Sequence, residues 1–443
     1  RSSDLKPFLD GVVNMKAKDY EKLDQKKKQI TLYNEAEIYY TDFELKAGKI
    51  VMDYEKNLVY AGRLKDSTGK YIQRPVFTQG SNRGFTRKLM RILYAIQGTG
   101  NGHLSRAHEL VPILSKYAKV DTLISGNQSQ IKAEFELNFQ RTGLTFLSGK
   151  HGDISIVKSL KNTHPIDFIR EIRAFPVKQY DLVLSDFEPV SAWSALINGV
   201  PCIELSHQAG VIHPFAPKPE QKAAFGRYVL HHYVPSKTKY GFHFEAYEDR
   251  VFTPVIRKEI RTAEPSDLGH YTVYLPGYHD DVLMHFLRQF PVKWEVFSKH
   301  ANFAYRVDNV FIEPISQQRF QESLLTSTGV LAGAGFELPA EALFLGKKVM
   351  VIPMKGHYEQ RCNALGAAKV GATTISELDL IYHRQINYWL NQAPQVRLAY
   401  QDQTEAILVK ILKDFQGKGK QAFIEDKSFE TILEKLSILR YLL

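Results

Sequence analysis

Two short stretches of this sequence join a glycine turn to titratable side chains, each after an apolar run. The first is Gly98-Thr99-Gly100-Asn101-Gly102-His103, which follows Arg91-Ile92-Leu93-Tyr94-Ala95-Ile96. The second is Gly333-Ala334-Gly335, which follows Val330-Leu331-Ala332 and leads through Phe336 into a helical stretch carrying Glu341. Small residues at a strand-to-helix turn let backbone N–H groups approach an anion, and the helix start adds a partial positive charge. Glu341 lies inside the helix, where a carboxylate can meet a sugar hydroxyl. Beyond Gly346 comes a second apolar run, Lys348 to Pro353, and then a polar loop, Lys355 to Arg361, with His357, Glu359 and Gln360. Phosphate site, carboxylate and amide loop therefore occur in the order that suits a nucleotide diphosphate sugar, from ribose to hexose.

The turn at Gly98, Gly100 and Gly102 does not fit the commoner phosphate motifs. A nicotinamide site wants GxGxxG and an acidic residue after the second strand. Here the third glycine comes one position early, and the second apolar run ends in Ser125-Gly126-Asn127. The pattern GxxxxGK(S/T) is absent. His103, at a helix start, has the side-chain type of a base working near neutrality. Two carboxylates follow another strand, in Ser185-Asp186-Phe187-Glu188-Pro189. Such strand ends face the ligand crevice in parallel sheets. Either Asp186 or Glu188 suits the role of base or of orienting His103, with helix capping as the structural alternative for Asp186. Ser206-His207-Gln208 and His213 suit acceptor contacts or a solvated loop. Tyr278, His279 and Arg257 are further phosphate candidates. Asp280-Asp281 are adjacent and lack the Asp-x-Asp spacing for a divalent ion.

These residues need a scaffold, and the chain changes character twice. Residues 1 to about 80 predict short strands at Gln29–Leu32, Glu35–Tyr40, Phe43–Leu45, Lys49–Asp53 and Leu58–Tyr60. Turns are expected at Asn34, Gly48, Lys56-Asn57 and Asp66-Ser67-Thr68-Gly69. A linker is expected over 81–89. From Met90 the pattern alternates between strand and helix. Strands are expected at Arg91–Ile96, Val120–Ser125, Leu144–Leu147, Leu182–Ser185 and Cys202–Leu205, with a first helix over His103–Ser115. A domain over 90–255 and a linker over 256–268 lead to a second series at Tyr271–Leu275, Trp294–Phe297, Val310–Ile312, Val330–Ala332 and Lys348–Pro353. That second domain spans 269–385, and 386–443 reads as helices. Alternation of this kind argues for parallel sheets wrapped by helices, an α/β fold of two Rossmann-like domains.

With 443 residues the chain has room for two or three domains. The net charge of +10 favours an anionic partner: a nucleotide, a nucleic acid or an anionic lipid surface. Nucleic acid is set aside because no zinc-finger spacing, RNP pattern or arginine-rich motif occurs. Cys202 and Cys362 lie far apart, with no CxxC, and read as reduced buried thiols. No apolar run reaches the length of a membrane span, and RSSDLKPF does not read as a signal peptide. A cytoplasmic location is expected, with peripheral contact to an anionic membrane face.

The stretch from Gly333 to Ala364 resembles the donor-binding segment of GT-B glycosyltransferases, in particular the MurG-like group. Glu341, five residues before Gly346, stands where that group has its ribose-binding glutamate. Glu359-Gln360 followed by Asn363-Ala364 matches its (D/E/Q)Q-x-x-NA signature, which reads the donor sugar. The turn from Gly98 to His103 matches its GxGxGH. The resemblance implies two domains facing a cleft, with terminal helices that cross back to the first. It implies donor contacts at Gly333, Ala334, Gly335, Phe336, Glu341, His357, Glu359 and Gln360, and no metal or cofactor. The implied activity is inverting transfer of a hexosyl or N-acetylhexosaminyl group from a nucleotide sugar, a UDP-sugar first of all. The acceptor is a hydroxyl, with lipid-linked carriers of the cell envelope included. His103 then takes the acceptor proton, with Asp186 or Glu188 as alternative base. A sugar-nucleotide epimerase of the same fold is a rival. Residues 1–80, through LYNEAEIYYTDFELKAGKIVMDYEKNLVYAGRLKDSTGK and PVFTQG, resemble part of an OstA-type lipopolysaccharide-transport domain, and imply either a fused fragment or a second rival function.

Overall fold

The computed structural model describes residues 13–40, 43–55, 58–79, 82–85, 90–126, 133–143, 165–220 and 224–424. It forms two compact units, Arg1–Leu89 and Met90–Leu443. In the first unit the strands are β1 (Asn14–Lys16), β2 (Tyr20–Asp24), β3 (Gln29–Tyr40), β4 (Phe43–Asp53), β5 (Leu58–Gly62), β6 (Leu64–Lys65), β7 (Tyr71–Ile72), β8 (Val76–Gln79) and β9 (Asn82–Phe85). An antiparallel sheet runs β1-β3-β4-β8-β9, with β2 on β3 and β5 on β4. Alternate residues Leu32, Ala36, Ile38, Leu45, Ala47 and Ile50 make a small core.

Asn34 and Gly48, expected as turns, lie inside long strands instead. Asn34 and Glu35 take φ of 64° and 47° and shift the β3–β4 register between Tyr33 and Ala36. They form a bulge, which inserts residues without ending the strand. Gly48 is required by a close approach: a Cβ there would stand 2.7 Å from the Leu64 nitrogen. The stretch expected as a linker over 81–89 holds β9, which pairs antiparallel with β8.

Among its described residues the second unit contains two seven-stranded sheets. In spatial order the first has β12 (Phe139–Arg141), β11 (Lys119–Ser125), β10 (Arg91–Gln97), β13 (Leu182–Asp186), β14 (Cys202–Ser206), β15 (Thr238–Phe242) and β16 (Val251–Phe252), with every pair parallel. Its helices are α1 (Asn101–Leu114), α2 (Pro165–Ala174), α3 (Pro189–Asn198), α4 (His207–Ile212) and α5 (Ala224–His232). The unbroken apolar run Ile92 to Ile96 is wholly buried, as a central parallel strand requires when helices cover both faces. The strand expected at Leu144–Leu147 lies outside the described residues.

The second sheet has β19 (Tyr305–Val307), β20 (Val310–Pro314), β18 (Lys293–Ser298), β17 (His270–Tyr274), β21 (Gly329–Gly333), β22 (Lys348–Ile352) and β23 (Thr373–Thr374). Only the β19–β20 pair of this sheet is antiparallel among the described residues. The remaining helices are α6 (Lys258–Arg261), α7 (Asp280–Leu287), α8 (Gln317–Thr326), α9 (Glu337–Phe344), α10 (Tyr358–Lys369), α11 (His383–Asn391) and α12 (Thr404–Lys418). The α/β fold of two Rossmann-like halves read from the sequence is the one observed.

The joints carry structure of their own. The segment expected as a linker over 256–268 carries α6, and Ile256 and Ile260 are buried in the core. The end expected at 385 falls within α11, whose Ile386, Trp389 and Leu390 pack in the core of the second sheet. α12 returns to the first half. There Tyr117 donates its hydroxyl to Glu405 at 2.6 Å, and Tyr240 donates to Asp414 at 2.6 Å. Among the described residues no helix is long and apolar enough to cross a membrane. Cys202 and Cys362 are free and buried.

Sheet order decides where a ligand can sit. β11 and β13 flank β10 on opposite sides, and β18 and β21 flank β17 in the same way. Each is a topological switch point, where the loops at the strand ends part and leave a crevice.

Candidate functional site

The first crevice opens where β10 passes into α1. Gly98 donates its N–H to the Ser125 carbonyl at 2.6 Å, so the turn starts tied to the end of β11. Gly100 is the N-cap of α1 at φ 128°, a conformation that side-chain-bearing residues avoid. A Cβ on Gly102 would collide with the carboxylate of Glu337, which comes from α9 in the other half. The glycines thus let α1 begin against the opposite wall of the crevice.

His103 and Asp186 meet at this point. His103 Nδ1 stands 2.8 Å from Asp186 Oδ1. Arg106, one turn along α1, donates from Nε to Oδ2 at 2.9 Å and from Nη2 to Oδ1 at 2.6 Å. Tyr94 donates its hydroxyl to Oδ2 at 3.4 Å. Asp186 is wholly buried. Burial alone would raise its pKa, but Arg106 and His103 outweigh that and hold the carboxyl below its ordinary value. Burial and the neighbouring Asp186 push the Tyr94 phenol well up. With Asp186 ionised, the proton of His103 belongs on Nδ1, which leaves Nε2 as the basic atom.

Glu188 does something different. Its oxygens accept the N–H groups of Val190 and Ser191, each at 2.7 Å, so it is the N-cap of α3. Helix capping at this strand end therefore belongs to Glu188 and not to Asp186. Between them Phe187 takes φ 57°. That backbone kink points the two carboxylates in different directions and stores strain at a crevice, where such strain is commonly found. Burial raises the pKa of Glu188, against the two backbone hydrogen bonds.

The second crevice is built by β21 and α9. The Ala334 N–H goes to the Ile352 carbonyl at 3.0 Å, and the Gly335 N–H to the Gly333 carbonyl at 2.8 Å. Those two groups, expected to face an anion, are thus held by backbone carbonyls. Phe336 is the N-cap of α9 and supplies no side-chain cap. Glu341, buried in α9, receives Arg257 Nε and Nη2 on its two oxygens, each at 2.7 Å. His357 caps α10 by accepting the Gln360 N–H on Nδ1 at 3.4 Å, and burial lowers its pKa. Gln360 Oε1 accepts the Met354 N–H at 2.9 Å, which turns its amide into its own loop.

Contacts cross from one half to the other along one line. Arg106 Nη1 donates to Glu337 in the first turn of α9. His207 stacks on Phe336 with ring centroids 3.8 Å apart, and its Nε2 lies 2.7 Å from Asn363 Oδ1. Asn363 also donates to the Ala334 carbonyl at 3.1 Å. Gln208 Nε2 lies 3.2 Å from Glu359 Oε1 and 3.4 Å from His103 Nε2. Gln208 Oε1 is buried and has no hydrogen-bond partner.

His103, Asp186, Gly102, Phe336 and Glu359 are therefore brought together in one network, with Glu341 bound to Arg257 beside it. His207 and Gln208 begin α4 and are buried, so the solvated-loop alternative for them does not hold. His213 lies 3.6 Å from Glu248 and stacks with Tyr247. His279 is the N-cap of α7 and stacks on His300 at 4.4 Å, while Asp280 accepts from Ser298 and Tyr305. No group of three or more His, Cys, Asp or Glu is placed to hold a metal among the described residues. Sequence reasoning missed Arg106 and Glu337. Arg106 stands three residues after His103, the spacing that shares a helix face, so that signal was present.

Among solved structures, the chain is similar to MurG of Acinetobacter baumannii, at 15% identity over 74% of this chain and 100% of that one, with a TM-score of 0.46. It is also similar to UGT89C1 of Arabidopsis thaliana complexed with UDP, at 14% identity over 80% of this chain and 100% of that one, with a TM-score of 0.47. No curated protein sequence matches it significantly. The model of glycosyl transferase family 1 matches residues 90–394. That match takes in both crevices and every residue that crosses between them, and by it the chain belongs to glycosyl transferase family 1 and is a glycosyltransferase.

Proposed function

We propose that the protein moves a sugar, with inversion and without a metal, from a UDP-sugar to a hydroxyl acceptor. One observation carries this reading: the Nδ1 of His103 is engaged by the buried Asp186, so Nε2 is the free basic atom, and it lies beside Gln208, which touches Glu359 of the donor loop. In this reading the acceptor hydroxyl displaces the Gln208 amide at Nε2. Its oxygen attacks the anomeric carbon, its proton passes to Nε2, and the bond from that carbon to the diphosphate oxygen breaks. Attack opposite the leaving group inverts the centre. The uncapped first turn of α9 meets the charge that develops on the diphosphate, so the reading asks for no metal.

Glu341 takes the ribose hydroxyls, the small residues Gly333, Ala334 and Gly335 leave the diphosphate room to reach the first turn of α9 after Phe336, and His357, Glu359 and Gln360 read the sugar, Gln360 by turning its amide out of the contact with Met354. Gly98, Gly100 and Gly102 make room for the diphosphate and the acceptor. The donor chemistry and the GxGxGH turn favour the MurG-like group. The net charge of +10 suits an acceptor on a glycan or glycolipid of the cell envelope, reached from an anionic membrane face. Residues 1–80 are read as an OstA-like appendage outside the reaction.

The test is a screen of UDP- and dTDP-sugars by thermal shift, followed by transfer to hydroxyl acceptors with the anomer of the product read by NMR. One inverted product, formed at an unchanged rate in EDTA, is expected. A retained anomer overturns inversion, and conversion of the donor with no acceptor present indicates an epimerase.

A further inference from the structure

Asp186 is gripped by Arg106 more firmly than by the histidine it faces. Arg106 is 3% exposed and lays its Nε and Nη2 on the two oxygens of Asp186, the planar fork that makes Arg–carboxylate pairs directional. The same Nη2 stands 3.2 Å from His103 Nδ1, donor beside donor in the Nδ1–H tautomer, so both turn their hydrogens to the Asp186 carboxylate between them. The third nitrogen, Nη1, reaches Glu337. Beneath, the guanidinium lies 5.4 Å from the Phe242 ring centre. His103, Asp186, Arg106 and Glu337 thus form one chain of contacts from the basic atom to the first turn of the donor-side helix.

What meets Asp186 decides how His103 is held. Glu337 on α9 takes the far end of Arg106, and Glu359 on α10 stands behind the Gln208 amide of α4. Tyr94 on β10 adds a hydroxyl at Asp186. Among the described residues Arg106 supplies the guanidinium fork on that carboxylate. We propose that Arg106 is the positioning residue of the reaction: it fixes Asp186, and through Asp186 the orientation and Nδ1–H tautomer of His103. This rests on the reading of His103 as the base. Asp186 is held below the ordinary carboxylate range by the same neighbour, which agrees with an ion pair made to last through turnover.

The experiment uses the full chain. The tautomer of His103 is read from the NMR shifts of its two ring nitrogens, with the signals assigned through His103→Gln, in wild type, Arg106→Met and Arg106→Lys. Wild type is expected to hold the Nδ1–H tautomer and Arg106→Met a mixture of the two. Arg106→Lys keeps the charge but not the fork, so kcat should fall about tenfold with the donor KM unchanged. A ring held wholly as Nδ1–H in folded Arg106→Met overturns the proposal, and so does a wild-type kcat in Arg106→Lys. If Arg106→Met does not fold, Arg106→Lys decides alone: reduced kcat at an unchanged donor KM supports the role, and wild-type kcat ends it. The NMR arm needs no substrate. A wild-type chain that turns over no nucleotide sugar therefore defeats the transfer reading, while the tautomer in Arg106→Met still decides whether Arg106 governs His103.

Discussion

Arg257 and Glu341 meet as a fork on a carboxylate, Nε to Oε1 and Nη2 to Oε2, with side chains 14% and 4% exposed. Arg257 immediately precedes α6, where the two halves join, and Glu341 lies in α9. The carboxylate read as the ribose contact is therefore anchored by the joining segment. Burial alone would lower the pKa of Arg257, but Glu341 outweighs it and holds the guanidinium above its ordinary value.

Glu341→Ala should do two separable things. UDP affinity, measured by calorimetric titration, should fall about tenfold or more, as expected when a hydrogen-bonded charged group is lost. Stability in urea should fall by about 1–3 kcal/mol, because Arg257, with a side chain 14% exposed, keeps only its Nη1 contact to Glu259 at 3.3 Å. Adding Arg257→Met should restore most of the stability and none of the affinity. UDP binding at wild-type strength in Glu341→Ala would remove the ribose assignment.

His103→Ala should lower kcat by about a hundred- to ten-thousand-fold, the range of a general base, with donor binding kept. Glu188→Ala should leave kcat within a few-fold, since its carboxylate caps α3, and should lower stability by about 0.5–2 kcal/mol. Steady-state rates and urea melts on the two variants check this. Wild-type turnover by His103→Ala alongside an inactive, folded Glu188→Ala would reverse the assignment.

His243 gives stability a pH dependence. Its ring is 1% exposed, neither nitrogen has a hydrogen-bond partner, and burial lowers its pKa to about 3. A histidine free in the unfolded chain titrates near 6.5. Between those values the unfolded chain binds a proton that the folded chain refuses, so stability is complete above about pH 6.5 and is lost as pH falls toward 3. Going from pH 7.5 to 5.0 should remove about 2 kcal/mol through this residue. Urea melts at the two pH values should show that loss in wild type and less of it in His243→Leu. An equal loss in both would exclude His243 as the cause.

A chain beginning at Met90 should fold and keep its transfer rate, because the residues from Met90 onward form a compact unit that contains every contact of the candidate site. Circular dichroism and a transfer assay test this. A folded but inactive product would give residues 1–80 a part in the reaction.

The sequence by itself determined the elements and the local chemistry. Unbroken apolar runs such as Ile92 to Ile96 can be satisfied only by burial on both faces, so β10, β11, β13 and β14 of the first sheet and β17, β18, β20, β21 and β22 of the second were legible to within a residue or two, whereas β12, β15, β16 and β23, short or broken by polar residues and glycine, were not. Glycine turns after two of those strands marked both crevices, because backbone geometry at a strand-to-helix turn is a local property. Partner choice was not local. Arg106 and Glu337 are 231 residues apart, and Arg257 and Glu341 are 84 apart. Nothing in spacing or periodicity says which charge meets which until the sheet order sets β10 beside β13 and brings α9 against α1. The same holds for Asp186 and Glu188: two carboxylates two residues apart look alike in sequence. The φ of 57° at Phe187 then sends one to His103 and the other to the start of α3. Asn34 shows the converse, since a residue that favours left-handed backbone reads as a turn wherever it occurs, and only pairing across β4 makes it a bulge.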